Sequence, residues 1–237
     1  FTLNESLAID KKITLKAKDT ANAAHLYFKT KNKPAFRMHP EGKLKLDGLI
    51  ITGDNHEDAI GTLENNMSSA YNIFISNSHF ENFKSILKSS KSSFADTIQI
   101  KKSTFKNFDQ GIQLAQETDD TGEYNAEFVT IQDSRFENIE GTVVDYYRGG
   151  YDESTVGGNL NLTGNTFINS GNSRETTLLI KNRGIVHVTI FQNNFRNNPV
   201  KYIAILWGEK GQKPINNTIS NSGAFKTVEN LEQKLMY

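Results

Sequence analysis

Residues 128–139 read FVTIQDSRFENI, and this arrangement recurs four more times along the chain. The other copies are NIFISNSHFENF (72–83), TIQIKKSTFKNF (97–108), NLNLTGNTFINS (159–170) and VTIFQNNFRNN (188–198). Every copy has a central Phe, an aliphatic residue five positions before it, a Ser or Asn two before it and an Asn two after it. The central residues of this Phe repeat, which are 25, 31, 31 and 28 residues apart, are Phe80, Phe105, Phe136, Phe167 and Phe195. Such a period is typical of a solenoid.

The pattern inside each repeat favours strands over helices. Apolar and polar residues alternate with period 2, and Val, Ile, Thr and Phe are frequent. A second apolar strand is predicted after each copy, at 85–88, 111–115, 141–147, 176–181 and 202–207, and degenerate copies lie at 44–53 and 216–223. We therefore predict an all-β, right-handed parallel β-helix, with coils stacked about 4.8 Å apart.

The Asn that follows each Phe is predicted to occupy a tight bend. Asn tolerates a left-handed backbone, and its amide can donate and accept hydrogen bonds between stacked coils. The predicted Asn ladder consists of Asn82, Asn107, Asn138, Asn169 and Asn197.

The ends of the chain suggest a domain within a larger protein. Residues 1–237 are interpreted as a single β-helix domain. Residues 227–237, TVENLEQKLMY, predict a short C-terminal capping helix with Thr227 as N-cap and Val228, Leu231 and Leu235 facing inwards. The chain starts at Phe1 and enters strands directly. We therefore expect it to be the C-terminal part of a two-domain protein.

The composition of the chain argues against several classes of partner and of functional site. Lys plus Arg and Asp plus Glu are both 27, so overall charge does not favour nucleic acid or an anionic membrane. The absence of Cys excludes a disulfide scaffold, a thiolate metal site and a cysteine nucleophile. No apolar run approaches the roughly 20 residues of a membrane span, and the first residues do not have the pattern of a signal peptide.

The candidate binding residues follow the second strand of each coil. If register holds, Lys88, Gln116, Glu117, Glu209 and Lys210 would share one flank with the proposed substrate-binding residues, which are Tyr147, Arg148, Lys181, Arg183 and Trp207. Cations and aromatic rings in a groove suit an anionic sugar chain. An ordinary solvated surface is the alternative. In the loop YRGGYDEST (147–155), the acids beside Arg148 indicate a structural or interdomain role for Tyr151, Asp152 and Glu153.

Motifs for other chemistries are missing. The sequence has no G-x-S-x-G, P-loop or dinucleotide fingerprint. The five His lack metal-ligand spacing, and DNHED (54–58) and ETDD (117–120) are interpreted as solvated loops and not as calcium ligands. We therefore assign neither a metal site nor a cofactor to this chain.

The loop YRGGYDEST, followed by GNLNLTGNTFINSG (158–171), resembles the C-terminal β-helix of polysaccharide lyase family 6, the alginate and chondroitin B lyases. The likeness is most specific over residues 128–222. Members with two domains carry a Lys base, an Arg acid in an Arg-His-Gly context and a calcium-binding acidic cluster in the preceding domain. No Arg-His-Gly occurs here, so no catalytic residue is assigned.

The resemblance implies an accessory domain of a secreted or periplasmic lyase that acts on an anionic polysaccharide, either alginate or a glycosaminoglycan. Its partner would be a preceding catalytic β-helix, where calcium could bind. A self-sufficient uronate lyase is an alternative, with Arg148 or Arg183 on the carboxylate and Tyr146, Tyr147 or Lys181 as acid and base. A third possibility is a non-catalytic surface solenoid or carbohydrate-binding protein.

Overall fold

The computed structural model describes residues 1–19, 23–116, 125–147, 158–176, 178–183, 185, 187–210, 215–220 and 231–236. In this part of the chain every regular element is a β-strand, and every strand pair is parallel. The parallel β-solenoid predicted from the repeat is therefore confirmed.

Successive coils supply strands to three faces. Face 1 contains β1 (Thr2–Leu3), β4 (His25–Phe28), β7 (Ile50–Thr52), the first parts of β10 (His79–Lys88) and β12 (Thr104–Leu114), β14 (Arg135–Ile139), β17 (Thr166–Ile168) and β20 (Asn194–Arg196). Face 2 contains β2 (Leu7–Ile9), β5 (Phe36–Met38), β8 (Ile60–Thr62), the second parts of β10 and β12, β15 (Val144–Tyr147), β18 (Leu178–Arg183), β21 (Tyr202–Lys210) and β23 (Leu231–Met236). Face 3 is an eight-stranded sheet made of β3 (Lys12–Lys16), β6 (Lys43–Asp47), β9 (Tyr71–Ser76), β11 (Ala95–Lys101), β13 (Ala126–Gln132), β16 (Asn159–Thr163), β19 (His187–Phe191) and β22 (Ile215–Ser220).

The central Phe residues of the repeat stack directly on one another inside the solenoid. The register pairs each with the next, and the ring centroids of successive residues are 5.2, 5.2, 5.1 and 4.8 Å apart. Aromatic stacking adds to the free energy gained by burial of the rings. The variable spacing of the repeat in sequence thus leaves the core register unchanged.

A buried polar row runs beside the Phe stack. At the position two residues before each Phe, the side-chain oxygen accepts a hydrogen bond from the backbone N–H of the preceding coil. The donor–acceptor distances are 3.2, 3.2, 3.0 and 2.9 Å along Ser78, Ser103, Ser134, Asn165 and Asn193. This row satisfies backbone donors at the corner between faces 3 and 1, where strand pairing is interrupted.

The Asn residues after each Phe lie at the bend that follows face 1. All five have positive φ, between 49° and 61°. Asn138 Nδ2 donates to Asn107 Oδ1 at 3.1 Å, and Asn107 Nδ2 donates to Asn82 Oδ1 at 3.1 Å. Asn is suited to this bend because it tolerates the left-handed backbone and can bond to the coils on either side.

The predicted capping helix is not confirmed. Residues Leu231–Met236 form strand β23, which pairs in parallel with β21, and residues 221–230 and 237 lie outside the described residues. The spacing of four between Leu231 and Leu235 fits one side of a strand as well as one side of a helix. Pairing with β21 also gives partners to the backbone groups at the edge of face 2.

Candidate functional site

The outer surface of face 2 is organised by the strand register. Arg37, Gly61, Lys88, Gln113, Asp145 and Lys181 are opposed in successive coils, and we term them the face-2 row. The next residue in β5, β12 and β15 points inwards, since Met38, Leu114 and Tyr146 are fully buried. Because strand side chains alternate, the face-2 row lies on the outside.

The register brings together only part of the predicted flank. Tyr147, Arg183 and Trp207 are mutually opposed, two positions beyond the face-2 row. Lys88 is instead opposite Gln113, while Gln116 follows the end of β12. Glu117, Arg148, Tyr151, Asp152 and Glu153 lie outside the described residues.

Two of the predicted cations share one carboxylate. Asp145 Oδ1 is 2.9 Å from Nη2 of Arg183, and Asp145 Oδ2 is 3.9 Å from Nζ of Lys181. The guanidinium of Arg183 also lies over the ring of Tyr147, 5.0 Å from its centroid. This arrangement supplies a counter-charge and a cation–π contact from within the protein. It therefore weakens the attraction of Lys181 and Arg183 for an external anion.

The two tyrosines named for the lyase alternative are poorly placed for it. The hydroxyl of Tyr146 is inside the solenoid and donates to the backbone carbonyl of Ala126 at 2.6 Å. Tyr147 is only 5% exposed, under Arg183. Tyr146 consequently cannot contact a polymer bound on the outer surface.

A groove lies on face 2 nearer the N-terminus. Three adjoining clefts of about 420, 410 and 400 Å³ are lined by residues from 4–6, 30–37, 56–66 and 84–90 together with Gln116. Lys33 and Arg37 line both the first and second clefts, and Pro34 and Thr62 line both the second and third. These segments belong to five successive coils, so this face-2 groove extends about 19 Å along the solenoid axis.

The cations of the face-2 groove are not paired with acids. Five basic side chains line it: Lys31, Lys33, Arg37, Lys84 and Lys88. Within the described part of the chain, none of their side chains forms an ion pair or a hydrogen bond, and Nε of Arg37 is buried without an acceptor. Three acids also line the groove, namely Glu5, Asp58 and Glu64. The excess of positive charge favours an anionic ligand.

A pair of carboxyl groups sits behind the wall of the groove. Glu57 is 1% exposed, and its Oε2 atom has no hydrogen-bond partner. Burial, together with a hydrogen bond and charge repulsion from Asp54, raises the pKa of Glu57 to about 8. The hydrogen bond with Glu57 lowers the pKa of Asp54. The predicted solvated loop 54–58 thus contains one carboxyl group that stays protonated at neutral pH.

The sequence pattern did not reveal the groove. Arg37, Lys31 and Lys33 belong to coils that precede the first Phe repeat, so alignment of the repeats does not place them. The available signal was the basic stretch KTKNKPAFR (29–37), with its apparent turn at Asn32 and Pro34.

No group of three or more His, Asp or Glu side chains among the described residues is arranged to hold a metal ion. None of the elements that they form is a helix long and apolar enough to cross a membrane.

Comparisons with known proteins support the fold. No family model and no curated protein matches the chain. A solved structure of the PL6 family alginate lyase AlyGC is similar to 99% of this chain, with a TM-score of 0.76 and 24% identity. An arginine-to-alanine mutant of the same lyase matches 100% of this chain, with a TM-score of 0.75 and 23% identity. The chain covers 35% and 33% of those two chains, about a third of their length. The resemblance expected from the sequence is confirmed at the level of the fold.

Proposed function

We propose that this chain is an accessory, carbohydrate-binding β-helix of a lyase that acts on an anionic uronate polymer, with alginate as the preferred candidate. The observation that carries the proposal is the face-2 groove, which spans five successive coils and is lined by five cations that form no ion pair within the described part of the chain. The fold likeness to an alginate lyase indicates which anionic polymer to test first.

The shape and charge of the groove match a polyuronate. Such a polymer carries one carboxylate on each sugar, and coil stacking places Arg37 and Lys88 on one row, two coils or about 10 Å apart. Arg37 can bind a carboxylate through two parallel hydrogen bonds, while Lys33 and Lys88 act as point charges. A long open groove lets several weak contacts add together along one chain.

The geometry favours binding over catalysis. Uronate elimination requires neutralisation of the carboxylate and removal of the C5 proton by a base. Asp145 already pairs with two of the three cations named for the lyase alternative, Lys181 and Arg183, while Arg148 lies outside the described residues. Tyr146 cannot act as the base, because its hydroxyl lies in the core.

We also propose a partner domain and a cellular location for this chain. The chain covers only about a third of AlyGC, which supports a preceding catalytic β-helix as its partner. Calcium, if required, would bind in that partner domain. Because alginate and related polymers are met outside the cytoplasm, we place the protein in the secreted or periplasmic space.

The test uses the chain alone in gels containing alginate, polymannuronate, polyguluronate, dermatan sulfate or neutral pullulan, with and without calcium. We expect retardation by at least one uronate polymer and none by pullulan. Parallel incubations should show no rise in the absorbance of unsaturated uronyl products. A rise abolished by Arg183→Ala would establish the lyase alternative. Equal mobility in every gel would favour a surface solenoid without sugar binding.

A further inference from the structure

We propose that Arg37, Lys31 and Lys33 form a carboxylate subsite that anchors a uronate polymer at one end of the face-2 groove. This inference rests on the proposed function and locates its strongest contact. The three side chains line a single cleft of about 420 Å³, in which Glu5 is the one acid among the lining residues. The cleft therefore combines three cations with one anion, a larger excess of positive charge than elsewhere in the groove.

Arg37 occupies the centre of the subsite. It lies in β5 on the face-2 row and lines both the first and the second cleft. Its Nε is buried and has no acceptor, although buried donors are normally bonded. Nε is closed to a ligand, because it is closed to solvent. A carboxylate in this cleft would instead bind end-on to the terminal nitrogens of the guanidinium, through two parallel hydrogen bonds.

The neighbouring bend presents two lysines to the same cleft. Lys31 and Asn32 have φ values of 51° and 70°, in the left-handed region that is unfavourable for a Lys side chain. The bend is closed because Lys33 N donates to the carbonyl of Thr30 at 3.3 Å, and the Thr30 hydroxyl donates to the carbonyl of Lys33. Here the bend directs Lys31 and Lys33 into the lining of the cleft that contains Arg37.

Arg183 has a counter-charge within the protein, although its Nε, like that of Arg37, is buried without a hydrogen-bond partner. It lies on the same face, yet Asp145 and the ring of Tyr147 contact its guanidinium. Arg135 on face 1 likewise forms two hydrogen bonds to Glu137, at 2.9 and 2.7 Å. Arg37 lacks such contacts, so it is the arginine of these three that is available to an external carboxylate.

The first experiment measures the affinity of purified alginate oligosaccharides for the wild type and its variants. Arg37→Ala should weaken binding about tenfold or more, as expected for loss of charge-assisted hydrogen bonds. Arg37→Lys should give an intermediate affinity, because it keeps the charge and loses the two parallel hydrogen bonds. Arg135→Ala is the matched control and should stay within about twofold of the wild type. Carboxyl-reduced alginate should bind poorly to all four proteins.

A double variant guards against misfolding of Arg37→Ala. Lys31→Ala/Lys33→Ala changes two exposed side chains and should also weaken alginate binding, with unchanged circular dichroism. Wild-type affinity in both this variant and Arg37→Ala would overturn the subsite while leaving the accessory role intact.

A second readout separates the subsite from the proposed function. In ¹⁵N spectra of the whole chain, the Nε–H signal of Arg37 is identified by its loss in Arg37→Lys. We expect it to shift on addition of sodium glucuronate and to stay in place with glucose. A shift without polymer affinity would retain the subsite and contradict the accessory function. An unmoved signal at saturating glucuronate would refute the subsite.

Discussion

Asp145 accepts a hydrogen bond from Arg183 at 2.9 Å, across adjacent coils of face 2. The same carboxylate lies 3.9 Å from the ammonium group of Lys181. The two cations proposed from the sequence to bind a sugar chain thus share one counter-charge, supplied by an acid two residues before Tyr147. Removal of this acid should increase, and not decrease, the affinity of face 2 for anions.

Asp145→Asn should strengthen binding of alginate by a few fold at low salt. The amide cannot neutralise Arg183 and Lys181, and the gain should fade in high salt because exposed charges are screened. The measurement is affinity for alginate oligosaccharides at several salt concentrations. Glu137→Gln is the matched control, since it releases Arg135 and Lys106 on face 1. An equal gain in both variants would mean that net charge alone controls binding.

The Asn ladder should contribute to the free energy of unfolding in two ways, through its left-handed backbone and through its side-chain hydrogen bonds. Asn107 has φ of 59° and bonds to both Asn82 and Asn138. Asn107→Ala loses the bonds and strains the bend, so it should lower the free energy of unfolding by roughly 1–3 kcal/mol. Asn107→Gly loses the same bonds without backbone strain and should lower the free energy of unfolding by a smaller amount. Urea unfolding of both variants checks this order, and a more stable Ala variant would contradict it.

Glu57 should make stability fall as pH rises. Its pKa of about 8 in the folded chain exceeds the usual 4.5, so the proton is held more tightly when folded. The resulting stabilisation is present below pH 4.5 and is lost as pH rises through 8. Glu57→Gln should therefore be more stable than the wild type at pH 9, by on the order of 1–2 kcal/mol, with a smaller difference at pH 5.

Thermal unfolding between pH 5 and pH 9 measures this effect. Glu64→Gln removes an exposed carboxylate from the same groove and serves as the control, with the pH dependence of the wild type. If Glu57→Gln also kept that dependence, the protonated carboxyl pair with Asp54 would be disproved.

Much of the core could be predicted from the sequence because the repeat fixes its register. Phe136 stacks on Phe105 and Phe167, as alignment of the copies implies, although the intervening loops differ in length. Alternation with period 2 determines which residues point inwards, and insertions are accommodated in loops outside the core. The bend at Asn138 followed from the same repetition.

The surface was less predictable, for two physical reasons. Ion pairs on the surface depend on which residues are opposed in adjacent coils. Because the loops differ in length, the sequence alone does not show that Asp145 is opposite Lys181. The groove around Arg37 is built by bends of the first coils, which lack the Phe repeat. At the C-terminus, the spacing of Leu231 and Leu235 fitted helix and strand alike.

The most direct test of the account is lysine acetylation of the whole chain with and without alginate, read by mass spectrometry. We expect alginate to protect Lys31, Lys33, Lys84 and Lys88 in the face-2 groove. Lys12, Lys43 and Lys45, on the outer surface of face 3, should react equally in both conditions. Protection of the face-3 lysines with unchanged reactivity in the groove would contradict the proposed binding surface.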